Sequence, residues 1–453
     1  MSDRSALPSL ARRAVLAARF TAAAVPEWRL PFRSRATIER TQRRRLRAAV
    51  AHAYEHVPYY RETMRRLGLF PSDLRTAADL ARLPLIEREQ LQRDPEYFVS
   101  RAHPLADYVE AQTSASTGEP IKFFRYVPGV SRQVLGFERM EPMLARLSGK
   151  RWRRREALLV PPSNKASADN GGAQIQWLGL HLRVVCSTFS LFEPPAEIAP
   201  RIERFRPDLI RGYGSYIEAL YAYLLSGKRP VHRPKVVIFV ADPISDPIRR
   251  MMREELGVPV LSLYQAVESG IVGWECEHQR GHHLNVDLCP IRIVDANRRE
   301  VTPGESGEVV VSNLVNRGTM LLNYLLGDLA RLLPERCECG RSLPLLSEIE
   351  GRTTDWLWSA SGHPMHPQTL RSILRAVDGV RRFQLVQERA GHVRVITVAA
   401  SGADYEDIRA RVIEETRRLD EPIEAEVEFS ETLPRTEGGK VRTFITPEVG
   451  SPH

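Results

Sequence analysis

The sequence predicts an α/β protein, with a large multi-subdomain N-terminal domain of mostly parallel sheets and a small α+β C-terminal domain. Three observations predict it. Between residues 156 and 264, short apolar runs alternate with amphipathic stretches, the pattern of βαβ units. From residue 284 the strands shorten and the helical stretches cease, as in a β subdomain. From Trp356 a fresh series of helices and strands begins. With 453 residues the chain is long for one core, so the expected division is 1–351, a hinge at 352–355, and 356–453.

Residues 36–70 have helical apolar spacing (Leu46, Val50, Ala53, Tyr54, Val57) and end at Gly68. A short helix and turn follow over 71–85. Residues 106–111 and 121–126 alternate like strands, and 129–148 is amphipathic. Short β runs at 156–161, 182–186, 209–210, 236–240 and 258–264 are separated by helical stretches at 195–205, 215–225 and 244–256. Ligands of such sheets sit at the carboxyl ends of strands. Tyr213, the Ala241-Asp242-Pro243 turn and Tyr264 fall at or just after such ends. Strands at 290–294 and 307–311 complete the large domain. The C-terminal pattern is helix 367–377, strands 381–387 and 392–399, helix 404–419 and strand 424–429.

A content of 43% hydrophobic and 27% charged residues is that of a soluble globular protein. No apolar run is long enough to span a membrane. Residues 9–25 are rich in Arg and Ala without an acid, weakly like a transit peptide, but lack a continuous apolar core. They read as an N-terminal helix of a cytoplasmic protein. The net charge of +9 raises the question of nucleic acid. The basic residues, however, are interleaved with acids and accompany no recognition motif, so no nucleic-acid or membrane partner is expected. The densest basic cluster, residues 150–155, reads as a solvated loop before a buried strand. Only six lysines occur, at 122, 150, 165, 228, 235 and 440, which makes a Lys inside a motif informative.

Between the strands at 106–111 and 121–126 lies Thr113-Ser114-Ala115-Ser116-Thr117-Gly118-Glu119-Pro120. Hydroxyls and exposed backbone N–H groups at a hairpin tip can replace the hydration shell of a polyphosphate, and Gly118 permits close approach. An ordinary polar hairpin has the same composition. Thr113, Ser114, Ser116, Thr117 and Gly118 are the candidate phosphate contacts.

This run resembles the phosphate loop T-S-G-[ST]-T-G-x-P of the adenylate-forming ligases, and within them the phenylacetate–coenzyme A ligase group. The resemblance extends from the segment His52 to Arg61 to Lys440, with several motifs in the family's order. Ala241-Asp242-Pro243 is similar to G-A-E-P, which lines an adenine pocket. Tyr264-Gln265-Ala266-Val267-Glu268 resembles Y-G-x-[ST]-E, which implies a ring face for adenine at Tyr264 and a Mg²⁺ ligand at Glu268. Tyr324-Leu325-Leu326-Gly327-Asp328 resembles Y-x-T-G-D, which implies that Asp328 accepts the ribose hydroxyls. Arg352 would add a ribose or phosphate contact. Leu433-Pro434-Arg435-Thr436-Glu437-Gly438-Gly439-Lys440-Val441-Arg442 matches P-R-T-x-x-G-K-x-R, which makes Lys440 the catalytic lysine. A compact ammonium can bridge carboxylate and α-phosphate oxygens where Arg cannot. Ala115, Gln265, Leu326 and Thr354 depart from the family's pattern, Thr354 where a charged hinge residue is usual.

Five cysteines in a chain of this size do not suggest a disulfide framework. Cys276, His283, Cys337 and Cys339 form an S₃N set suited to structural zinc. Free thiols are the alternative, and His278 and His282 compete for the nitrogen position. Some members of the phenylacetate–coenzyme A ligase group carry a similar pattern. The resemblance thus implies ATP-dependent activation of a carboxylic acid to an acyl-adenylate, with Mg²⁺, followed by transfer to coenzyme A. Transfer to an amine, a carrier-protein thiol or another nucleophile is the alternative, and a catalytically silent nucleotide-binding protein the second.

Overall fold

The computed structural model describes residues 22–112, 121–126, 136–161, 184–226, 232–352, 357–361, 364–365, 367–419, 422–436 and 441–445. The stretch expected as one helix over 36–70 is two, Arg35–His56 and Pro58–Arg66. Ser34 caps the first by accepting from the Thr37 backbone N–H at 3.4 Å. Pro58 pushes Val57 into extended conformation (φ −109°, ψ 119°), which ends that helix, and then occupies the first turn of the second. Across 71–85 the helical character is reduced to 3₁₀ turns at Pro71–Asp73 and Ala78–Arg82.

Strands β1 (Tyr108–Gln112) and β2 (Lys122–Tyr126) form the expected antiparallel hairpin arms, with Gln112 opposite Lys122. Strands β3 (Arg154–Val160), β4 (Val184–Ser190), β5 (Leu209–Tyr213), β6 (Val236–Val240) and β7 (Val260–Ala266) follow, interleaved with helices Pro195–Phe205, Gly214–Ser226 and Asp246–Glu254. They lie side by side in the order β4-β3-β5-β6-β7, all parallel. All five residues of β6 are buried, which explains its unbroken apolar run Val-Val-Ile-Phe-Val. Beyond β7 the same nine-stranded sheet turns antiparallel through β8 (Gly270–Glu275), β9 (His282–Leu284), β14 (Leu345–Leu346) and β13 (Leu332–Leu333). Parallel pairing therefore ends at β7, because a tight turn rather than a crossover helix joins β7 to β8.

A second sheet, β10-β11-β12-β15, is antiparallel and built from Ile291–Val294, Gly307–Val311, Tyr324–Ala330 and Gly351–Arg352. A fully buried Arg139 ties the N-terminal helical region to this part of the fold. Its guanidinium donates to Glu27 at 2.9 Å, to Asp287 at 2.7 Å and to Asn285 at 3.0 Å. The three partners satisfy a charge that would otherwise be prohibitive there.

From residue 357 the chain builds a ribbon, β16 (Leu357–Trp358) with β17 (Pro364–Met365), and a second four-stranded sheet, β20-β19-β18-β21. Its strands are β18 (Val380–Arg389), β19 (His392–Ala399), β20 (Glu424–Phe429) and β21 (Phe444–Ile445). Helices Pro367–Ala376 and Tyr405–Arg417 accompany it. Leu370, Leu374, Leu385, Val393, Val395, Ile408 and Val412 form a core separate from the larger clusters of the preceding sheets. Asp404 caps the later helix by accepting from the Glu406 and Asp407 backbone N–H groups. Among the described residues, no helix is long and apolar enough to cross a membrane.

Candidate active site

The loop 113–120 lies outside the described residues, so Thr113, Ser114, Ser116, Thr117 and Gly118 carry no structural statement. Its flanking arms are firmly anchored. Phe124 of β2 donates its backbone N–H to Thr319 Oγ1 at 2.8 Å, and Thr319 N–H donates back to Phe124 O at 2.7 Å. Gly318 makes this approach feasible, since a Cβ there would lie 2.1 Å from Phe124 O. The next residue, Arg125, turns toward the turn after β7, its guanidinium 3.4 Å from Val267 O. Burial lowers the Arg125 pKa while the nearby Glu268 charge opposes that shift. Sequence reasoning missed Arg125 because one arginine beside the phosphate loop does not stand out in so Arg-rich a chain.

Tyr264, Glu268, Asp328 and Arg352 are brought together from three elements. Tyr264 lies two residues before the end of β7, Glu268 in the turn into β8, and Asp328 in β12. Arg352 of β15 stands directly across from Asp328 in the ladder. The Tyr264 hydroxyl donates to Asp328 Oδ2 at 2.8 Å, and Arg352 Nε lies 3.2 Å from Asp328 Oδ1. Asp328 is thus held from both sides. Tyr264 is only 8% exposed, and its hydroxyl is engaged by Asp328. Burial pushes its phenol well above the usual value, and the Asp328 carboxylate adds to that shift, so it remains a proton donor.

Glu268 retains part of its surface. Burial raises its carboxyl pKa, Arg352 opposes the shift, and the Asp328 charge adds to it. Its backbone is set by buried Asn313, whose Nδ2 donates to Ser269 O at 3.2 Å and lies 3.4 Å from Glu268 O. Asn313 also escaped sequence reasoning, since an Asn after a strand reads as a turn residue.

Ala241 occupies the left-handed region at φ +69°, an uncommon conformation for a residue with a Cβ. It turns the chain sharply off β6 and brings Asp242 to the start of the helix Gly214–Ser226. Asp242 Oδ1 accepts from Ser215 N–H at 3.1 Å, and a Cβ at Gly214 would lie 2.3 Å from Asp242 O. The other oxygen, Oδ2, accepts from Val441 N–H at 3.2 Å. Lys440 lies outside the described residues. Upstream of it, Arg435 Nη1 is 3.5 Å from Ser215 Oγ, and the guanidinium stands 5.6 Å from the Tyr216 ring centre.

About the far end of the sheet, Cys276, His283, Cys337 and Cys339 present donor atoms all within 4.8 Å of one another. Cys276 Sγ and Cys337 Sγ are 3.6 Å apart, and Cys339 Sγ is 3.3 Å from His283 Nε2. A tetrahedral ion with Zn–S bonds of about 2.3 Å spaces its sulfurs roughly 3.8 Å apart, so these separations fit one. They are far too long for a disulfide, and all three thiols are free. His282 spends both ring nitrogens elsewhere, on Ser347 O at 3.1 Å and Ser262 Oγ at 2.9 Å. His278 is exposed, and it offers this cluster its backbone N–H, 3.4 Å from Cys276 Sγ. Burial, reinforced by Arg341, lowers the His283 pKa to about 4, which keeps its ring neutral as ligation requires.

The family model described as "CapK C-terminal domain" matches residues 357–447. A phenylacetate–coenzyme A ligase of Thermus thermophilus is 27% identical over 89% of this chain and 95% of its own length. Over most of its length the chain is thus similar to the phenylacetate–coenzyme A ligases. Among solved folds, 2-hydroxyisobutyryl-CoA ligase in its postadenylation state aligns over 99% of this chain and 95% of its own, with a TM-score of 0.74 and 19% identity. The same protein in its thioesterification state, with 2-HIB-AMP and CoA, aligns over 98% of this chain and 95% of its own, at 18% identity and a TM-score of only 0.60. The fold of this chain therefore superposes better on the former structure than on the latter.

Proposed function

We propose that the protein activates a small carboxylic acid, of aryl or similar type, with ATP and passes the acyl group to coenzyme A. The observation that carries this reading is the carboxylate of Asp328, fixed between Tyr264 and Arg352 beside Glu268. In the first half-reaction a carboxylate oxygen attacks the α-phosphorus and pyrophosphate leaves. In the second, the thiol sulfur attacks the acyl carbon, AMP leaves, and the thiol proton is released. Asp328 would accept the ribose hydroxyls, with Arg352 neutralising the charge around it. The run 113–118 would grip the phosphates, and Arg125, in the arm β2, would add positive charge. Ala241 and Asp242 would border the adenine. Glu268 offers the hard oxygen suited to Mg²⁺, which would screen the phosphate charges. Lys440 would neutralise the charge between carboxylate and α-phosphate, and the Val441 anchor on Asp242 supports its approach from that side.

The Cys276, His283, Cys337 and Cys339 set would hold a structural zinc with all four positions closed, pinning β8 and β9 to the segment before β14. Residues 356–453 would form a mobile unit turning about 352–355; Thr354 lies outside the described residues. An acid panel assayed for release of pyrophosphate, with and without coenzyme A, tests the proposal. Acid-dependent pyrophosphate and AMP, plus a thioester only when coenzyme A is present, is the expected result.

A further inference from the structure

The helix Gly214–Ser226 carries a feature that the nucleotide site does not explain. Glu218, in its first turns, is a fully buried carboxylate with 0% exposure. Its Oε2 accepts from Ser245 N–H at 3.0 Å, which ties the helix to the segment following Ala241-Asp242-Pro243. Its Oε1 has no hydrogen-bond partner among the described residues. A buried carboxylate so placed needs compensating charge. That charge comes from the C-terminal part of the chain: Arg382 Nε lies 3.6 Å from Oε2 and Arg381 Nε 3.8 Å from Oε1. Ser215, three residues earlier and so on the same helix face, lies within reach of Arg435. Asp242, bonded to Ser215, receives Val441. One short helical face thus meets both the start of β18 and Arg435, and Asp242 beside it meets Val441.

We propose that Glu218 is a positioning residue for the adenylation step: by receiving Arg381 and Arg382 it docks the C-terminal part so that Arg435 is held at Ser215 and Val441 at Asp242. When that part turns away for thioester formation, the contact opens and Glu218 loses its compensating charge, so the carboxylate favours the docked arrangement over the other. Glu218 touches no reacting atom in this scheme. The inference rests on the two-step activity proposed above.

The test compares wild-type protein with Glu218→Gln, which keeps an acceptor for Ser245 but drops the charge. Arg381→Gln/Arg382→Gln attacks the contact from the other side and guards against a Glu218 variant that fails to fold. Adenylation is followed by acid-dependent pyrophosphate exchange, and thioester formation by adding coenzyme A to a supplied acyl-adenylate. Backbone amide exchange is measured for the peptide covering residues 433–445. The expected result is faster amide exchange in that peptide and adenylation lowered about ten-fold, with thioester formation within about two-fold of wild type. The charge-reversed pair Glu218→Arg with Arg382→Glu should recover part of the lost adenylation. Unchanged amide exchange and unchanged adenylation in both variants overturn the proposal. An equal fall in both half-reactions also overturns it, since that marks a merely structural role. If the wild-type protein adenylates none of the acids, the activity reading fails, while the amide-exchange comparison still decides whether Glu218 docks the segment.

Discussion

At the scale of single residues, Asp328 holds the key position. Its two oxygens are already engaged by Tyr264 and Arg352, so it stands in a defined orientation before any nucleotide arrives. Asp328→Asn keeps the shape and one acceptor but removes the charge that both partners favour. We expect the KM for ATP to rise about ten- to a hundred-fold with the protein still folded; steady-state kinetics over ATP concentration checks this. In the proposed reaction Lys440 would act where negative charge develops, so its effect would belong to the rate. Lys440→Ala should lower adenylation about a hundred-fold while ATP still binds, as calorimetry and pyrophosphate exchange together would show. That Asp328 and Glu268 belong to one site was legible in sequence because their motifs recur in a fixed order. The roles of Arg125, Asn313 and Glu218 were not, because each acts across a long sequence separation on a partner no motif names. Tyr264 was half legible: its position was clear, but its burial and its bond to Asp328 are properties of packing.

At the scale of elements, alternation of apolar runs and amphipathic stretches revealed β3 to β7 and their intervening helices, since a strand buried on both faces has few sequence options. The switch at β7 was hidden. Parallel and antiparallel strands differ in how they are connected, and the turn holding Glu268 is short. The break at Pro58 was readable in principle, yet apolar spacing continues across it from Val57 to Met64, both buried. The cysteine–histidine set illustrates the same limit: the C-x-C spacing and Cys276 were visible, but only packing, which places His283 with the three cysteines and engages both His282 nitrogens elsewhere, singles out the histidine. If that set holds one ion, prolonged chelation should lower the melting temperature by about 5 °C or more, because the metal joins segments far apart in sequence. Metal analysis of protein never exposed to chelator should return close to one zinc per chain, and a value well below that would contradict the assignment.

At the scale of the whole molecule, the proposed reaction needs two arrangements of the C-terminal part. Lys440 must reach the α-phosphate in one half-reaction, and the acceptor needs access to the same acyl-adenylate in the other. A rigid molecule cannot serve both. The described fold, which superposes better on the postadenylation structure of a structural relative than on its thioesterification structure, has Val441 resting on Asp242 and Arg435 on Ser215. Thr354→Pro, which restricts the backbone of the expected hinge, should therefore spare one half-reaction and impair the other; separate assays of each, on folded protein, would reveal wild-type rates in both if there is no hinge. Both arrangements serve one reaction, which begins with adenylation. It is tested most directly by incubating the wild-type protein with ATP, labelled pyrophosphate and one carboxylic acid at a time, without coenzyme A. Label is expected to enter ATP only when a suitable acid is present. ATP bound by the protein but no label incorporated with any aryl or alkyl acid, or ADP and phosphate formed in place of AMP and pyrophosphate, would contradict it.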